Sequence, residues 1–192
     1  MSPDTLNRSR GKAAPRWPDG TAARYALDNG AWGCHQQGRP FDGDAFAWAY
    51  TRIGAGADWV VAPDIVQAGR ESLSLTRAWL NRLNHPLVLI AVQDGMAPED
   101  VDPLVSTPGR GIFLGGSTDW KLRTIAQWGK FAKRRGCYFH VARVNTARRI
   151  RMAQCAGAHS VDGTSVTQFP SSLSLLQDTV DQQCLFRRAP HE

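Results

Sequence analysis

Five short apolar runs of this chain each lead into a polar motif, and this pattern constrains the fold more than any other feature. The runs and their motifs occupy residues 26–30, 60–64, 89–95, 112–116 and 160–163. The run before Gln93 is continuously apolar, which is typical of a parallel strand buried on both faces. If all five runs are parallel strands, their polar ends meet at one edge of a sheet, where α/β proteins build their active sites.

Strand and helix signals alternate along the chain, which indicates an α/β fold with parallel strands. We predict six strands, at 24–28, 59–63, 86–92, 111–114, 137–144 and 159–161, and helices at 44–53, 71–83, 118–135 and 146–156. A full eight-stranded barrel typically needs about 250 residues, and this chain has 192. The sequence predicts either a compact or incomplete (β/α) TIM-type barrel or an open α/β sheet, and the motifs favour the barrel.

One folded domain is expected at residues 23–180. Residues 1–22 are rich in Pro, Gly, Arg and Ser and predict a flexible basic arm; a further helix is predicted at 172–180, and 181–192 form a polar tail. No apolar stretch approaches the roughly 20 residues of a membrane span, and no signal peptide is evident. We therefore expect a cytoplasmic protein with no membrane partner. The four cysteines are widely scattered, so we expect no metal and no disulfide.

The formal net charge is +6, and the excess is concentrated in two places. Basic side chains at a helix C-terminus also complement the helix dipole, so the first cluster alone fits a structural role equally well. Two clusters together favour a polyanionic partner. The candidate nucleic-acid-binding residues are Lys130, Lys133, Arg134 and Arg135 at the end of one predicted helix, and Arg143, Arg148 and Arg149 around the start of the next.

Two aspartates, Asp28 and Asp162, each end a predicted strand. Paired carboxylates permit double displacement at an anomeric carbon, because one attacks the sugar while the other transfers protons to and from the base. Between them, Asp64 can accept from two N–H groups of a purine-like edge, and the Gln93 amide can both donate and accept. The Gly115-Gly116 turn lets backbone N–H groups approach a planar ligand. Together these groups suit a site that exchanges a guanine-like base on a ribose.

Each motif also has a purely structural interpretation. Asp28 before Asn29-Gly30 is typical of a turn. Asp64 and Asp162 are typical of helix N-caps, and Gly115-Gly116 fits a tight βα connection. Five such motifs in this order arise less easily by chance than one, so we favour the functional interpretation.

In this order the motifs resemble those of the tRNA-guanine transglycosylase superfamily, and within it the DpdA-type enzymes that insert 7-deazaguanines into DNA. The resemblance covers about residues 24–168. It implies that Asp28 is the general acid/base and Asp162 the nucleophile. It also implies that Asp64, Gln93 and a backbone N–H of Gly115-Gly116 hold the base.

Three departures from the family pattern narrow this assignment. The zinc-binding cysteine cluster of the tRNA-specific members is absent, which argues against a standard tRNA enzyme. Asp94 replaces a glycine of the family beside the expected base site, and the Thr-Arg that follows the nucleophile in many members is missing.

His140 matches a position that packs near the base, so it joins the candidate substrate-binding residues, although a lone histidine in a strand is more often a core residue.

The sequence therefore predicts an enzyme that replaces guanine in DNA by a 7-cyano-7-deazaguanine-like base through a covalent aspartyl–glycosyl intermediate, with no cofactor. Exchange or hydrolysis on RNA or free nucleosides is the alternative among enzymes, although basic clusters would be superfluous for a free nucleoside. A non-catalytic nucleic-acid-binding accessory subunit is the alternative outside enzymes. The expected partners are DNA (or RNA), the 7-deazaguanine base, and either a second copy of the chain or other DNA-modification proteins.

Overall fold

The computed structural model describes residues 14–16 and 18–164, which fall into two compact units. The first unit comprises the described residues up to 91 together with 95–110, and the second comprises 92–94 and 111–164. The predicted helix at 172–180, the polar tail and residues 1–13 of the predicted arm lie outside the described residues. The described remainder of the arm includes an antiparallel bridge between Arg16 and Ala22.

Helices and strands alternate through the described chain. The first unit contains α1 (Ala31–Gln36), α2 (Gly43–Ile53), β1 (Val60–Val61), α3 (Ser72–Leu80), most of β2 (Val88–Val92) and α4 (Pro98–Val105). The second contains most of β3 (Arg110–Leu114), α5 (Thr118–Arg135), β4 (Tyr138–Val141), α6 (Ala147–Cys155) and β5 (Ser160–Val161).

The strands are parallel, and their order is that of the chain, β1-β2-β3-β4-β5. A doubly wound open sheet would reverse its strand order at a switch point, and this sheet does not. The fold is therefore α/β with the topology of an incomplete (β/α) barrel, which confirms the expected fold class. In the second unit the register pairs Phe113 with His140 and His140 with Ser160.

The core of the first unit is built from aromatic and aliphatic side chains. Phe46 of α2 meets Trp79 of α3 edge to face at 5.2 Å between ring centroids. All five residues of β2 are buried, as the continuous apolar run predicted. Buried aliphatic residues complete this core: Leu27, Ile53, Val60, Leu83 and Val88.

The second unit depends on the long helix α5, whose two ends agree with the sequence prediction. Ser117 caps its start by accepting a hydrogen bond from the Trp120 N–H, and Gly136 ends it in the left-handed conformation at φ 60°. Gly129, in the C-terminal half of the helix, lies against Ala156, the residue that follows α6. A Cβ at position 129 would stand 2.0 Å from the Ala156 carbonyl oxygen.

The structure differs from the sequence prediction at two helices and one strand. The predicted first strand, 24–28, contributes only a parallel bridge between Leu27 and Val60. Helix α1 was not predicted because six residues are too few to show a helical period. Helix α4 was not predicted because Pro103 lies inside it and proline usually breaks a helix. Its start is nevertheless favourable, with Pro98 in the first turn and the Asp100 carboxylate accepting from the Ala97 N–H.

The expectation of no disulfide is wrong, because Cys155 is disulfide-bonded. A disulfide requires two Cα atoms to be close in space, and the spacing of cysteines along the chain does not decide that. Cys34 and Cys137 are free and buried. In the part of the chain that the structure describes, every helix is too short or too polar to cross a membrane.

Replacing Gly129 by alanine is expected to destabilise the protein by about 1–3 kcal/mol, although alanine is intrinsically the better helix former. The added methyl group meets backbone atoms, which cannot rotate away. Gln127→Ala, at an exposed position of the same helix, is the control and should change stability by less than about 0.5 kcal/mol. Urea unfolding followed by tryptophan fluorescence measures both. Equal stability of the two variants would contradict the close packing at Gly129.

Candidate functional site

The candidate residues fall into two clusters, one in each unit. The first-unit cluster consists of Asp28, Asn29 and Asp64. The second-unit cluster consists of Lys121, His140, Arg143, Ser160 and Asp162, with Gln93 and Gly115-Gly116 in the same unit. Each cluster is described by itself.

Asn29 organises the first-unit cluster. Its amide Nδ2 donates to the Asp64 carboxylate at 2.8 Å and to the Ala62 carbonyl at 2.9 Å. Its Oδ1 accepts from the Ala31 N–H at 2.8 Å, at the start of α1. The side chain of Asn29 is buried. Asn29, which the sequence predicts to lie in a turn, therefore fixes the position of Asp64, a residue 35 positions later in the chain.

Burial raises the pKa of Asp64 from an ordinary value of 3.8 to about 6. The hydrogen bond from Asn29 opposes this rise, whereas the nearby charge of Asp28 adds to it. Asp64 is only 9% exposed, and desolvation penalises the charged form of a carboxyl group. The first-unit cluster thus contains two carboxylates, of which the buried one titrates close to neutral pH.

In the second-unit cluster, a single oxygen of Asp162 is held by two donors. Asp162 Oδ1 accepts from His140 Nε2 at 3.1 Å and from the Arg143 backbone N–H at 2.8 Å. Among the described residues, no hydrogen bond reaches its Oδ2. The side chain remains 53% exposed. This leaves one fixed and one accessible carboxylate oxygen.

Ser160 and Phe113 hold the His140 ring. His140 is buried, and its Nδ1 lies 2.7 Å from Ser160 Oγ. Since Nε2 faces a carboxylate, we assign the ring proton to Nε2 and let the Ser160 hydroxyl donate to Nδ1. Phe113 stacks on the ring at 4.9 Å. The sequence indicates His140 as a candidate but carries no signal for Ser160. The two-residue repeat of β5 places Ser160 on the same face as Asp162.

The pKa of Asp162 lies below its ordinary value. Burial alone would raise it, but the hydrogen bond from His140, the Arg143 N–H and the Lys121 ammonium together lower it. The carboxylate is therefore ionised at neutral pH.

Arg143 adopts a left-handed backbone conformation, with φ 55°. For a residue other than glycine this conformation costs roughly 1–2 kcal/mol, and it turns the Arg143 N–H toward Asp162. The guanidinium of Arg143 also donates to the Gly116 carbonyl. The sequence places Arg143 among the candidate nucleic-acid-binding residues, and the structure places it in direct contact with Asp162.

The Gly115-Gly116 turn is shaped by close packing within the second unit. The Gly115 N–H donates to the Val92 carbonyl at 2.9 Å. Gly116 has φ 72°, and a Cβ there would stand 2.6 Å from Asp94 Oδ2. Asp94 itself accepts from both the N–H and the hydroxyl of Ser117. Asp94 thus fixes the start of α5, and Gln93, which precedes it, is buried at the end of β2.

The two basic clusters occupy different parts of the second unit. Lys130, Lys133, Arg134 and Arg135 are exposed near the C-terminal end of α5. From Lys121 to Lys133 the helix axis advances by ~18 Å, so this cluster is remote from Asp162 within the unit. In contrast, Arg143 contacts Asp162, and Arg148 and Arg149 lie in the first turn of α6.

Lys121 is the charged residue that sequence analysis missed. It is 5% exposed, and its ammonium donates to the Ala142 carbonyl. Burial and the charges of Arg143 and Arg149 lower its pKa from 10.5 to about 8, while Asp162 opposes this change. No sequence signal marked it, because a lysine on a long helix normally extends into solvent. Within the described ranges, no group of three His, Cys, Asp or Glu is placed to hold a metal ion.

Comparison with known proteins does not assign this chain to a family. No family profile and no curated protein matches it. Two solved structures of mandelate oxidase with benzoyl-formic acid, one of them a variant, are similar to it at 17% identity each. The variant has a TM-score of 0.46 and the other 0.37, over 84% and 93% of this chain respectively. This chain spans 60% and 49% of their lengths, and a likeness of this size supports no functional argument.

Asp64→Asn is expected to flatten the dependence of stability on pH. A raised pKa means that the folded state binds the proton more tightly than the unfolded state. The resulting stabilisation is complete below about pH 4 and is lost as the pH rises through about 6. Asparagine still offers a side-chain oxygen that can accept the hydrogen bond from Asn29. Between pH 4 and 7, the free energy of unfolding of the variant should therefore fall by up to about 3 kcal/mol less than that of wild type.

Urea unfolding at pH 4, 5, 6 and 7 measures this difference. Asp44→Asn, at an exposed position of the same unit, serves as the control and should follow the wild-type profile. An Asp64→Asn variant that loses stability as steeply as wild type would show that Asp64 does not titrate in this range.

The left-handed conformation of Arg143 predicts an inverted order of stability for two substitutions. Arg143→Gly should be more stable than Arg143→Ala by about 1 kcal/mol. At Arg148, inside α6, the order should reverse, because alanine is favoured over glycine in a helix by a similar amount. Thermal unfolding of the four variants measures both pairs. The same order at both positions would be inconsistent with a left-handed Arg143.

Proposed function

We propose that this chain is a base-exchange transglycosylase acting on nucleic acid, with DNA as the polymer, and that Asp162 is its nucleophile. The geometry of Asp162 is the observation that supports this proposal most. Its carboxylate is ionised, two donors fix Oδ1, and the side chain is 53% exposed. Fixing one oxygen orients the other, which lowers the entropic cost of attack. A carboxylate nucleophile at an anomeric carbon forms a covalent glycosyl intermediate.

In the first half-reaction, an oxygen of Asp162 attacks C1′ of a deoxyguanosine. The C1′–N9 bond breaks, and its electron pair leaves with guanine, which receives a proton from Asp28. The product is an ester between C1′ and the Asp162 carboxylate. His140 and the Arg143 N–H remain on Oδ1 throughout and limit the motion of the carboxylate.

In the second half-reaction, a 7-cyano-7-deazaguanine-like base takes the place of guanine. Asp28 removes the proton from N9 of this base, N9 attacks C1′, and the ester bond to Asp162 breaks. One glycosidic bond is exchanged for another, so no redox partner is required.

Recognition of the base is assigned to Asp64, Gln93 and the Gly116 N–H. Ionised Asp64 accepts from the two N–H groups on the guanine edge, and its pKa of about 6 makes this form predominant at neutral pH. The Gly115 N–H is already bonded to Val92, so the carbonyl of the base is assigned to the Gly116 N–H. A base inside a duplex could not reach such groups, so the target nucleotide is single-stranded or flipped out.

The basic clusters favour a polymer over a free nucleoside as substrate. Exposed lysine and arginine side chains neutralise phosphates and make binding salt-dependent. The cluster at the end of α5, remote from Asp162 within its unit, provides additional phosphate contacts. An accessory subunit without catalysis would share this surface, and the activity assay separates it from the enzyme.

Purified protein is incubated with single-stranded DNA carrying radiolabelled guanine, with and without 7-cyano-7-deazaguanine. We expect release of more than one equivalent of label per enzyme only with the deazaguanine present, and Asp162→Asn to reduce the rate of this release by at least about a thousandfold. Asp119→Asn, at an exposed carboxylate of the same unit, is the matched control and should retain the wild-type rate.

Release that survives in Asp162→Asn would exclude the proposed nucleophile. Labelled RNA and labelled deoxyguanosine, run in parallel, identify the preferred substrate. An absence of release from all three, with DNA binding retained, would favour the accessory subunit.

A further inference from the structure

The side-chain amide of Asn29 is fixed at three points in the first unit. Its Nδ2 group donates to the Ala62 carbonyl, directly after β1, and to Asp64 Oδ1, while its Oδ1 accepts from the Ala31 N–H at the start of α1. Since a carbonyl needs a donor and a backbone N–H needs an acceptor, these partners fix which way the amide points. The side chain is 3% exposed. Both N–H groups of the amide are therefore used within the protein.

The hydrogen bond from Asn29 opposes two effects that favour the neutral form of Asp64. Burial raises the pKa of Asp64 most, and the like charge of Asp28 raises it further. The bond from Asn29 and the backbone N–H of Asp64 itself lower this pKa, which at about 6 leaves the carboxyl group mostly ionised at pH 7. Without the Asn29 donor the pKa of Asp64 would be higher still, because a hydrogen bond to a charged group favours the charged form.

The other polar groups around Asp64 act on the backbone or on another carboxylate. The Ser72 and Thr76 hydroxyls of α3 bond the backbone on either side of Asp64, and neither carries a charge. Arg70, in the loop between β1 and α3, forms an ion pair with Asp100 at 2.9 Å. These contacts hold the loop in place, whereas the asparagine bonds the carboxylate itself.

We propose that Asn29 is the positioning residue of base recognition: it holds the Asp64 carboxylate in the orientation and the ionised form that accept the two N–H groups of a guanine edge. The inference rests on the proposed function, which assigns the base to Asp64, and deepens it. A neutral carboxyl group carries an O–H, so it would meet one of the two N–H groups of the base with a donor. Base binding is therefore lost as Asp64 takes up a proton, and Asn29 sets the pH at which this happens.

Binding of 7-cyano-7-deazaguanine between pH 5 and pH 8, followed by tryptophan fluorescence, tests this role without turnover. For wild type, Kd should rise roughly tenfold from pH 8 to pH 5, as expected for a group that binds only when ionised and has a pKa of about 6. In Asn29→Ala the midpoint of this rise should move to higher pH by about one unit. The ratio of the variant's Kd to that of wild type should therefore grow roughly tenfold from pH 8 to pH 5.

Thr76→Val is the matched control. It removes a buried hydrogen bond to the Pro63 carbonyl, next to Asp64, but no donor to the carboxylate. Its Kd should keep the wild-type pH dependence, whatever the effect on stability. Asn29→Ser, which keeps a hydroxyl group on a shorter side chain, should shift the midpoint in the same direction as Asn29→Ala but by less. It replaces the alanine variant if thermal unfolding shows that the latter is not folded.

The pH dependence separates a positioning role from a structural one. A ratio of Kd values that is the same at pH 5 and pH 8 would overturn the proposal, because the loss of a merely structural side chain weakens binding equally at every pH. An absence of binding by wild type at every pH would refute base recognition by Asp64, and with it both the proposed function and this inference. A midpoint that shifts in Asn29→Ala, in a protein that does not exchange bases, would refute transglycosylation but support the role of Asn29.

Discussion

The candidate site depends on the pair of hydrogen bonds that hold Asp162 Oδ1. One comes from His140 Nε2 and the other from the backbone of Arg143, and both donors are fixed by further contacts. Ser160 and Phe113 hold the histidine ring. The left-handed backbone of Arg143 and its bond to the Gly116 carbonyl hold the other donor. Because strained backbone persists only where its surroundings enforce it, this arrangement is evidence of a site built around one carboxylate.

The surroundings of two carboxyl groups shift their pKa values in opposite directions. Asp64 is buried beside Asp28, with one compensating amide, and its pKa rises to about 6. Asp162 has two donors and a nearby ammonium, and its pKa falls. The proposed assignment makes Asp162, the carboxylate with the lowered pKa, the nucleophile, and gives Asp64 the binding of the base.

The parts of the fold that local sequence determines were predicted well. Helix α5 agrees at both ends because Ser117 and Gly136 are strong capping residues, and the apolar run at 86–92 contains β2. Contacts between distant residues were not predictable. In the sequence Lys121 resembles a surface residue, but in the structure it is buried and its ammonium bonds the Ala142 carbonyl after β4. Asn29 resembles a turn residue, but its side chain bonds Asp64. Two helices were not predicted, α4 because it contains a proline and α1 because it is short. The disulfide of Cys155 was not predictable either, because it depends on the tertiary structure.

The covalent intermediate tests the central claim most directly. Wild-type protein is mixed with guanine-containing single-stranded DNA and denatured within one turnover, and the protein–DNA adduct is digested and sequenced by mass spectrometry. The account predicts a single deoxyribosyl ester, on the Asp162 side chain, that disappears when 7-cyano-7-deazaguanine is added before denaturation. An adduct on another residue, or guanine exchange with no adduct at any quench time, would contradict it.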